Sequence, residues 1–458
     1  MTKLMTEKMK LLHPSQVLVL GFTTLILVGA MLLTLPISSA THHTVGVIDA
    51  LFTSTSAVCV TGLVVLDTGT QFSLFGQLVI LLLIQCGGLG IMAMASMIFL
   101  LIGKQITLRE RILIKESLNE FKISSVVRLV KTILQFTFVI ELLGAALLCI
   151  RYIPQYGVAS GIYHAVFHSV SAFCNAGFDI NGGFQSFTAY VGDPLVNFTL
   201  MTLIILGGLG FVVIFDLINK LKKPRTVRLT LHSKLVLYTT AALILIGIVG
   251  FFAMENANPN TLGGLNPKEK VLADIFQSVT PRTAGFNTID QGKLTTGSKM
   301  LTMALMFVGA SPGGTGGGIK TTTAIIVFLL IASVIQGKHE ITVMKRQISR
   351  ETVLRAITLF VGGLLLILAF TFILVIIEDG KGGLFITENI MFEVISAFGT
   401  VGLSTGITPF LAPLSRVVII LAMFTGRVGL LTVMYAVANR LRRSDVDIHY
   451  TEENVMIG

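Results

Sequence analysis

Charged residues are scarce in this sequence: Asp, Glu, Lys and Arg make up 13% of its 458 residues, whereas 53% are hydrophobic. That composition excludes an ordinary soluble domain and indicates a protein whose solvent is the lipid bilayer. Cysteine is scarce as well, and Cys59, Cys86, Cys149 and Cys174 lack the paired spacing of a zinc site. We therefore predict four free thiols and no transition-metal site.

Long apolar stretches replace the missing charge. Eight of them are long enough to cross about 30 Å of hydrocarbon. They cover residues 17–35, 78–102, 132–150, 196–218, 235–254, 300–335, 353–377 and 417–438, the sixth with a glycine-rich interruption. The first is too long for the apolar part of a signal peptide, which favours an uncleaved helix. The sequence predicts an all-α polytopic membrane protein.

The net charge of +10 comes from unevenly placed basic residues. Most of the 34 lysines and arginines lie in residues 3–10, 103–131, 219–234, 336–355 and 440–443, which share one side of the membrane if there are eight spans. A basic surface for nucleic acid is the other interpretation, but no basic segment carries interleaved aromatic residues or a binding motif. The positive-inside rule instead predicts a multi-pass plasma-membrane protein with both termini in the cytoplasm.

One short motif recurs four times, as SAVCVTGLVV, SAFCNAGFDI, VTPRTAGFNT and SAFGTVGLST. Its central glycines, Gly62, Gly177, Gly285 and Gly402, are 115, 108 and 117 residues apart, which indicates four tandem copies. Copies one, two and four place a phenylalanine ten residues and a serine six residues before the glycine. Copy three departs from this pattern, because its phenylalanine is nine residues before the glycine and Pro281 and Arg282 replace small apolar residues.

Each glycine is preceded by a run of about ten residues that is helical in pattern but too short to span a bilayer. A full span flanks the run and its loop on either side, so each loop must enter and leave from the outer face. The predicted unit is a first helix, a pore helix, a glycine loop and an outgoing helix, repeated four times around a pseudo-fourfold central pore. We predict a tail at 1–15, repeats at 16–125, 126–228, 229–350 and 351–443, the third with a broken second helix, and a tail at 444–458.

Non-helical backbone at membrane depth is stable only inside protein or against a water-filled cavity. Four such loops around one axis create that cavity, and their carbonyl oxygens can replace the hydration shell of a cation, as in potassium channels. Glycine leaves no side chain in the path, and the C-terminal dipole ends of the pore helices favour a cation. The predicted filter consists mainly of the backbone carbonyls of Val60, Thr61, Gly62, Asn175, Ala176, Gly177, Thr283, Ala284, Gly285, Thr400, Val401 and Gly402.

Acidic residues surround these loops in the sequence. Asp49, Asp274 and Glu388 are near the predicted starts of pore helices, where they suit the positive dipole ends. Asp67, Asp179 and Asp290 follow the glycines and suit a negative pore mouth. Each of these acids singly fits an ordinary helix cap or a solvated loop residue equally well.

The third outgoing helix is interrupted half-way along by residues 309–318, a glycine-rich segment in which six of ten residues are glycine and one is Pro312. No ordinary membrane helix tolerates that composition. A phosphate-binding loop is the rival interpretation, but Ile319 separates Gly318 from Lys320 and breaks the required spacing. The predicted gate consists of Gly309, Ala310, Ser311, Pro312, Gly313, Gly314, Thr315, Gly316, Gly317, Gly318, Lys320 and Arg427.

Arg427 lies at least ten residues from either end of the last apolar stretch, too deep for its charge to reach the surface. A charge at that depth marks a functional site by default. We predict that Arg427 faces the pore below the filter, donates to carbonyls of the glycine-rich segment and acts as an electrostatic barrier. The alternative is a structural salt bridge with Glu141. His164 and His168 have a spacing that can bind zinc on a helix, but a third ligand is missing, which argues against a metal site.

Together, VTG, NAG, TAG and TVG at the four loops, PRTAGFN at 281–287, GGIKTTT at 317–323 and GRVGLLT at 426–432 resemble the superfamily of K+ transporters that comprises Trk, Ktr and plant HKT proteins. The chain is most similar to the Ktr-type membrane subunit, KtrB. The resemblance implies a K+-selective subunit of a Ktr-like uptake system, with passive flux through a carbonyl filter and residues 309–318 as an intramembrane gating loop. Glycine in all four loops goes with K+ selectivity in this superfamily.

The resemblance also implies a homodimer and a cytoplasmic ring of KtrA-like, nucleotide-binding regulatory subunits. This chain itself would then bind no nucleotide or other cofactor, and K+ would be its transported ion. The sequence argues against an enzyme, because the spans offer few polar groups beyond Glu141, Arg427 and end residues such as Asp216. A cation-coupled secondary carrier of the same superfamily is the alternative, although carriers usually contain two large repeats.

Overall fold

The computed structural model describes residues 14–90, 126–338 and 340–438. It contains four repeats of the predicted unit. Repeat 1 contains α1 (Pro14–Leu33), α2 (Val47–Val58) and α3 (Leu74–Leu89). Repeat 2 contains α4 (Val126–Tyr156), α5 (Val158–Phe173), α6 (Pro194–Gly208) and α7 (Phe211–Lys222). Repeat 3 contains α8 (Leu231–Glu255), α9 (Pro267–Val279), α10 (Thr296–Phe307) and α11 (Thr321–Ile335). Repeat 4 contains α12 (Arg350–Glu378), α13 (Thr387–Gly399), α14 (Pro413–Val428) and α15 (Leu430–Ala438).

The fold class is therefore all-α, as predicted, with short 3-10 turns and one hairpin of two-residue strands, Thr342–Val343 and Arg346–Gln347, in the described residues. Among the residues that the structure describes, four helices are long and apolar enough to cross a membrane: α1, α4, α8 and α12, which are the first helices of the four repeats. Helices α6 and α7 would form a fifth span as a pair, but they are bent by 102°.

The prediction of continuous outgoing spans at 196–218 and 417–438 is wrong. Each is interrupted at a glycine with positive φ, Gly210 at 90° and Gly429 at 91°, a conformation that an α-helix cannot contain. In repeat 1, Gly90 has the same conformation directly after α3. The second part of the predicted span at 78–102 lies outside the described residues. The third outgoing helix is interrupted where the sequence predicts, between Phe307 and Thr321.

Small residues bring the first helices against the pore helices. Ser54 donates its hydroxyl to the Ile26 carbonyl at 2.7 Å, and a methyl group on Gly29 would lie 2.4 Å from the same hydroxyl oxygen. Repeats 2 and 3 contain the same contact, with Ser169 on Glu141 and Gly144, and Ser278 on Ile244 and Gly247. Close packing of small residues and interhelical hydrogen bonds is what stabilises helix pairs in lipid.

This contact explains the shifted phenylalanine of copy three. Ser278 precedes its glycine by seven residues, whereas Ser54 and Ser169 precede theirs by eight. The whole third pore helix therefore keeps its packing but is one residue closer to the glycine. Its phenylalanine, Phe276, is buried like Phe52, Phe167 and Phe392.

The outgoing helices approach the pore helices just as closely. A methyl group on Gly207 of α6 would lie 1.9 Å from the Phe173 carbonyl oxygen, which is the last of pore helix α5. Gly87 and Gly426 make the equivalent contacts with Val58 and Phe398. These three glycines are required by backbone approach, so the GGLG and GRVG motifs have a packing role.

Replacing Gly207 with alanine is therefore expected to destabilise the purified protein by about 1–3 kcal/mol, the usual cost of overpacking. The neighbouring Gly208→Ala is the matched control, because its methyl group would approach the Asn175 side-chain amide at 3.3 Å rather than a backbone carbonyl at 1.9 Å. Thermal unfolding in detergent measures both. Equal melting temperatures for the two variants would contradict the contact.

Candidate functional site

The four glycine loops share one backbone conformation. Val60, Asn175, Thr283 and Thr400 all have φ between 49° and 67°, two residues before glycines whose φ is between 70° and 92°. β-Branched residues such as Val60 and Thr283 resist the left-handed region, and strain of this kind is concentrated at functional sites. The sequence identified the glycines but gave no sign of these strained positions.

The loops meet in a closed ring. A methyl group on each glycine would collide with the carbonyl oxygen that precedes the glycine of the next loop. The distances are 2.5 Å from Gly62 to Ala176, 3.0 Å from Gly177 to Ala284, 2.5 Å from Gly285 to Val401 and 2.1 Å from Gly402 to Thr61. Because the fourth loop returns to the first, the four copies surround a common axis, and no side chain larger than hydrogen fits at any of the four glycines.

The carbonyl oxygens of this ring have no hydrogen-bond donor among the residues that the structure describes. All twelve loop residues are buried, yet none of their carbonyls accepts a hydrogen bond from any residue in the described part of the chain. Buried carbonyls are nearly always paired with a donor, so a whole group of free ones calls for another electropositive partner. A dehydrated cation on the axis is such a partner.

Hydroxyl groups from the pore helices hold the loops in place. Ser56 accepts from the Gly62 N–H at 3.1 Å, and Ser396 accepts from the Gly402 N–H at 3.0 Å. In repeats 2 and 3, Ser171 and Thr280 instead donate to the carbonyl of the residue after the glycine. The serine six residues before the glycine thus supports the loop backbone and does not face the axis as a ligand.

A cavity of about 490 Å³ opens on one side of the ring and is lined by all four glycines and by Asp67, Asp179 and Asp290. We name it the acidic cavity. Asp67 accepts from the backbone of Thr70 at 2.9 Å and of Phe184 at 2.6 Å. Asp67 thus caps its own loop, binds backbone of repeat 2 and lines the cavity at once, so the two interpretations of the sequence are compatible for this residue. Burial raises the pKa of Asp179, in the loop beyond the ring, to about 7, although the Asn181 N–H opposes the shift.

Two of the three acids that the sequence assigns to pore-helix starts lie there, and the third does not. Asp49 and Glu388 lie in the first turns of α2 and α13, as predicted. Asp274 does not, because α9 begins earlier, at Pro267, and its first turn contains Glu269, which forms a capping box with Asn266. Asp274 is buried in the second half of that helix.

A second cavity of about 280 Å³ lies beside the glycine-rich segment and is lined by Gly313, Gly314, Gly316, Lys320 and Arg427. We name it the basic cavity. Lys320 donates to the carbonyls of Gly316 at 2.7 Å and Gly317 at 3.4 Å. The acidic cavity thus contains three carboxylates, whereas the basic cavity contains two cationic side chains.

The glycine-rich segment packs directly against the glycine loops. Gly317 donates its N–H to the Thr400 hydroxyl at 2.9 Å, and Thr315 donates its hydroxyl to the Phe173 carbonyl at 3.2 Å. A methyl group on Gly316 would lie 1.9 Å from the Thr283 hydroxyl oxygen. The segment thus touches the ends of three of the four pore-helix and loop units.

The same segment explains why the second outgoing helix breaks. Ser311 and Thr315 donate their N–H groups to the carbonyls of Gly208 and Gly207 at 3.0 and 3.1 Å, and Phe211 donates to Gly313 at 3.0 Å. These bonds satisfy the backbone groups that the bend between α6 and α7 leaves free. The break is stabilised by a partner about a hundred residues away in the sequence, which no local pattern reveals.

Arg427 is at the C-terminal end of α14, next to the break at Gly429. Its guanidinium donates to the carbonyls of Thr315 and Gly87, and to Gly88 at 3.2 Å. It therefore contacts the glycine-rich segment, as predicted, and connects repeats 1, 3 and 4. No ion pair joins it to Glu141 in the described residues, where Glu141 accepts from the Gln85 amide at 3.1 Å.

Arg282, which makes copy three unlike the others, is also buried. It donates to the Val308 carbonyl at 3.3 Å, just after the end of α10. Because α10 stops there, the last carbonyls of the helix need a donor, and Arg282 supplies one. The sequence marked this residue as unusual but did not identify its partner.

The histidines have local partners. His168 is buried and accepts from the Ile180 N–H at 3.1 Å, and His164 stacks on Tyr156 with ring centroids 4.5 Å apart. Both lie on pore helix α5. Within the described ranges, no three His, Cys, Asp or Glu side chains are grouped to hold a metal ion.

These features define a polytopic, all-α membrane protein in which four repeats surround one axis and their glycine loops meet in a closed ring. The chain belongs to the TrkH cation transport protein family, whose sequence model matches residues 3–445. It is 43% identical to the Ktr system potassium uptake protein B of Bacillus subtilis, over 97% of both chains. It is 41% identical to the potassium/sodium uptake protein NtpJ of Enterococcus hirae, over the full length of both.

The fold agrees with this family. The potassium transporter TrkH of Vibrio parahaemolyticus has a similar structure, with a TM-score of 0.70 over 93% of this chain and 84% of that one, at 17% sequence identity. The resemblance to this superfamily, including the Ktr type, is confirmed. The protein is thus a multi-pass membrane transporter of cations and not an enzyme.

Proposed function

We propose that this chain is the K+-selective, ion-conducting membrane subunit of a Ktr-like K+ uptake system. The closed ring of buried, unpaired carbonyls between two cavities carries the proposal. Carbonyl oxygens replace the hydration shell of K+ in other selective pores, and four glycine loops leave room for the ion alone. The relatives from B. subtilis and Vibrio alginolyticus, both named potassium uptake proteins, support K+ as the ion.

The glycine-rich segment is the gate in this proposal. It lies under three of the pore-helix and loop units, and Lys320 and Arg427 bind its carbonyls. Glycine-rich backbone can change conformation at small steric cost, so the segment can leave the path without unfolding the helices around it. Conduction then requires Thr315, Gly316 and Gly317 to move away from the glycine loops.

The proposal also includes the partners and the orientation. The basic residues at 219–234 and 336–355 would face the cytoplasm together with both termini, in the plasma membrane. A homodimer of this chain would dock there on a KtrA-like ring of nucleotide-binding regulatory subunits, and any nucleotide would bind the ring. The word "system" in the names of the Ktr relatives supports a multi-component assembly.

Passive conduction is tested by tracer flux into liposomes that contain only the purified chain. We expect 86Rb+ to accumulate in K+-loaded vesicles in choline buffer, with no Na+ and no pH gradient. Empty vesicles and vesicles with the Gly402→Ser variant are the controls. The alternative is a cation-coupled carrier, and the name of the relative NtpJ, a potassium/sodium uptake protein, is a reason to test it. Uptake that begins only when Na+ or a proton gradient is supplied would establish the carrier and overturn passive conduction.

A further inference from the structure

One of the four seams between repeats differs from the others by topology. The chain passes directly from repeat 1 to 2, from 2 to 3 and from 3 to 4, so a covalent connection crosses three of the seams. Repeat 4 meets repeat 1 without any such connection, and we name this interface the open seam. Side-chain and backbone contacts alone must close the ring there.

Arg416 and Asp49 lie at this open seam. Arg416 is in the first turn of α14 in repeat 4, and Asp49 is in the first turn of pore helix α2 in repeat 1. The Arg416 guanidinium forms an ion pair with the Asp49 carboxylate, and both side chains are largely shielded, with exposures of 18% and 24%.

The same guanidinium also fixes the loop that precedes α14. Its Nε donates to the Leu411 carbonyl and its Nη2 to the Pro409 carbonyl, both at 3.0 Å. Pro409 lines the acidic cavity. A planar guanidinium with three acceptors is held in one geometry, which a lysine ammonium cannot reproduce. Arg416 therefore connects the wall of the acidic cavity to the start of the first pore helix.

The seam between repeats 3 and 4 provides a comparison. Lys299 follows Gly285 by 14 residues, just as Arg416 follows Gly402, and it pairs with Glu388 in the first turn of pore helix α13 at 3.4 Å. The ion pairs Lys299–Glu388 and Arg416–Asp49 thus occupy equivalent places in the two seams. The seam between repeats 3 and 4 contains a lysine, whereas the open seam contains an arginine with two additional backbone acceptors.

The tightest contact in the carbonyl ring is at the same open seam. The position of a methyl group on Gly402 is 2.1 Å from the Thr61 carbonyl, compared with 2.5–3.0 Å at the other three seams. Any separation of repeats 4 and 1 would widen the ring at this point. Helix α2, whose first turn contains Asp49, ends at Val58, directly before glycine loop 1, so a shift of its start is transmitted to Thr61.

We propose that Arg416 and Asp49 are positioning residues that close the carbonyl ring at the open seam and thereby set its discrimination between K+ and Na+. This inference rests on the proposed function. Neither residue touches the ion. Their effect passes through the position of pore helix α2.

A double-mutant cycle tests the inference. Arg416→Gln, Asp49→Asn and the double variant are expressed in a bacterial strain that lacks its own K+ uptake, with the amount in the membrane measured by immunoblot. The readout is the Na+ concentration that halves 86Rb+ uptake. We expect each single variant to lower that concentration about fivefold, and the double variant to lower it no further, because the pair acts as a unit.

Lys299→Gln and Glu388→Gln are the matched controls at the covalently connected seam, where we expect a change of less than twofold. Arg416→Lys retains the charge and is expected to recover part of the discrimination, which a loss of folding would not produce. Wild-type discrimination in Arg416→Gln, or strictly additive effects in the double variant, would overturn the inference. Absence of Rb+ uptake in the wild type would instead refute the proposed function.

Discussion

Gly402→Ser is expected to lower K+ uptake at least tenfold and to weaken discrimination against Na+. The Cβ atom would lie 2.1 Å from the Thr61 carbonyl oxygen, and φ at this position is 92°, where side chains are strained. The ring must therefore open at the contact between loops 4 and 1, and a wider ring no longer matches a dehydrated K+ ion.

Gly406→Ser is the matched control for this substitution. Gly406 has a similar φ of 94°, but apart from its two chain neighbours no described residue has an atom within 4 Å of the position of its Cβ. It lines the acidic cavity outside the ring, so it reports the cost of backbone strain without intrusion on the carbonyls. K+ and Na+ uptake in a transport-deficient strain, normalised to protein in the membrane, measures both variants. Unchanged rate and selectivity in Gly402→Ser would refute the assignment of the filter.

Arg427→Gln is expected to increase K+ flux severalfold. A unit charge roughly 8 Å from a permeating K+ ion raises its energy by about 2 kcal/mol at an effective dielectric constant of about 20, which corresponds to a factor of about thirty in rate at most. The substitution also removes the donors that hold the Thr315 carbonyl, so it weakens the closed position of the glycine-rich segment.

Arg427→Lys, which retains the charge, is the control and is expected to conduct at close to the wild-type rate. Proteoliposome flux at equal protein density is the measurement, so that expression does not enter. An Arg427→Gln variant that reaches the membrane and conducts at the wild-type rate would contradict a barrier. A variant that never reaches the membrane would show that the three carbonyl contacts of Arg427 are needed for assembly.

Much of the architecture could be predicted from the sequence because small residues recur at the same positions of each repeat. The register of Gly62, Gly177, Gly285 and Gly402 predicted the four pore helices and the meeting of the loops, since a glycine at the same place in each copy has a geometric cause. The interruption at 309–318 was readable for the same reason, because no helix tolerates six glycines and a proline.

The remaining features depend on contacts between distant segments. The bend at Gly210 is stable because the N–H groups of Ser311 and Thr315 donate to the carbonyls that the bend leaves free. The sequence does not predict the bend, because the apolar stretch that contains it is long enough for one continuous span. The sequence identified Arg282 as a departure from the repeat pattern. Its partner, the Val308 carbonyl, could not be predicted, because it depends on where α10 ends. The misplacement of Asp274 had a simpler cause, since the capping box of Asn266 and Glu269 set the start of α9 earlier than hydropathy suggested.

Binding of K+ among the four glycine loops can be located by anomalous diffraction from crystals grown in Rb+ or Tl+. We expect an anomalous peak on the axis of the ring, within coordination distance of the loop carbonyls. Peaks confined to Asp67, Asp179 and Asp290 in the acidic cavity, with none among the loop carbonyls, would refute K+ binding in the ring.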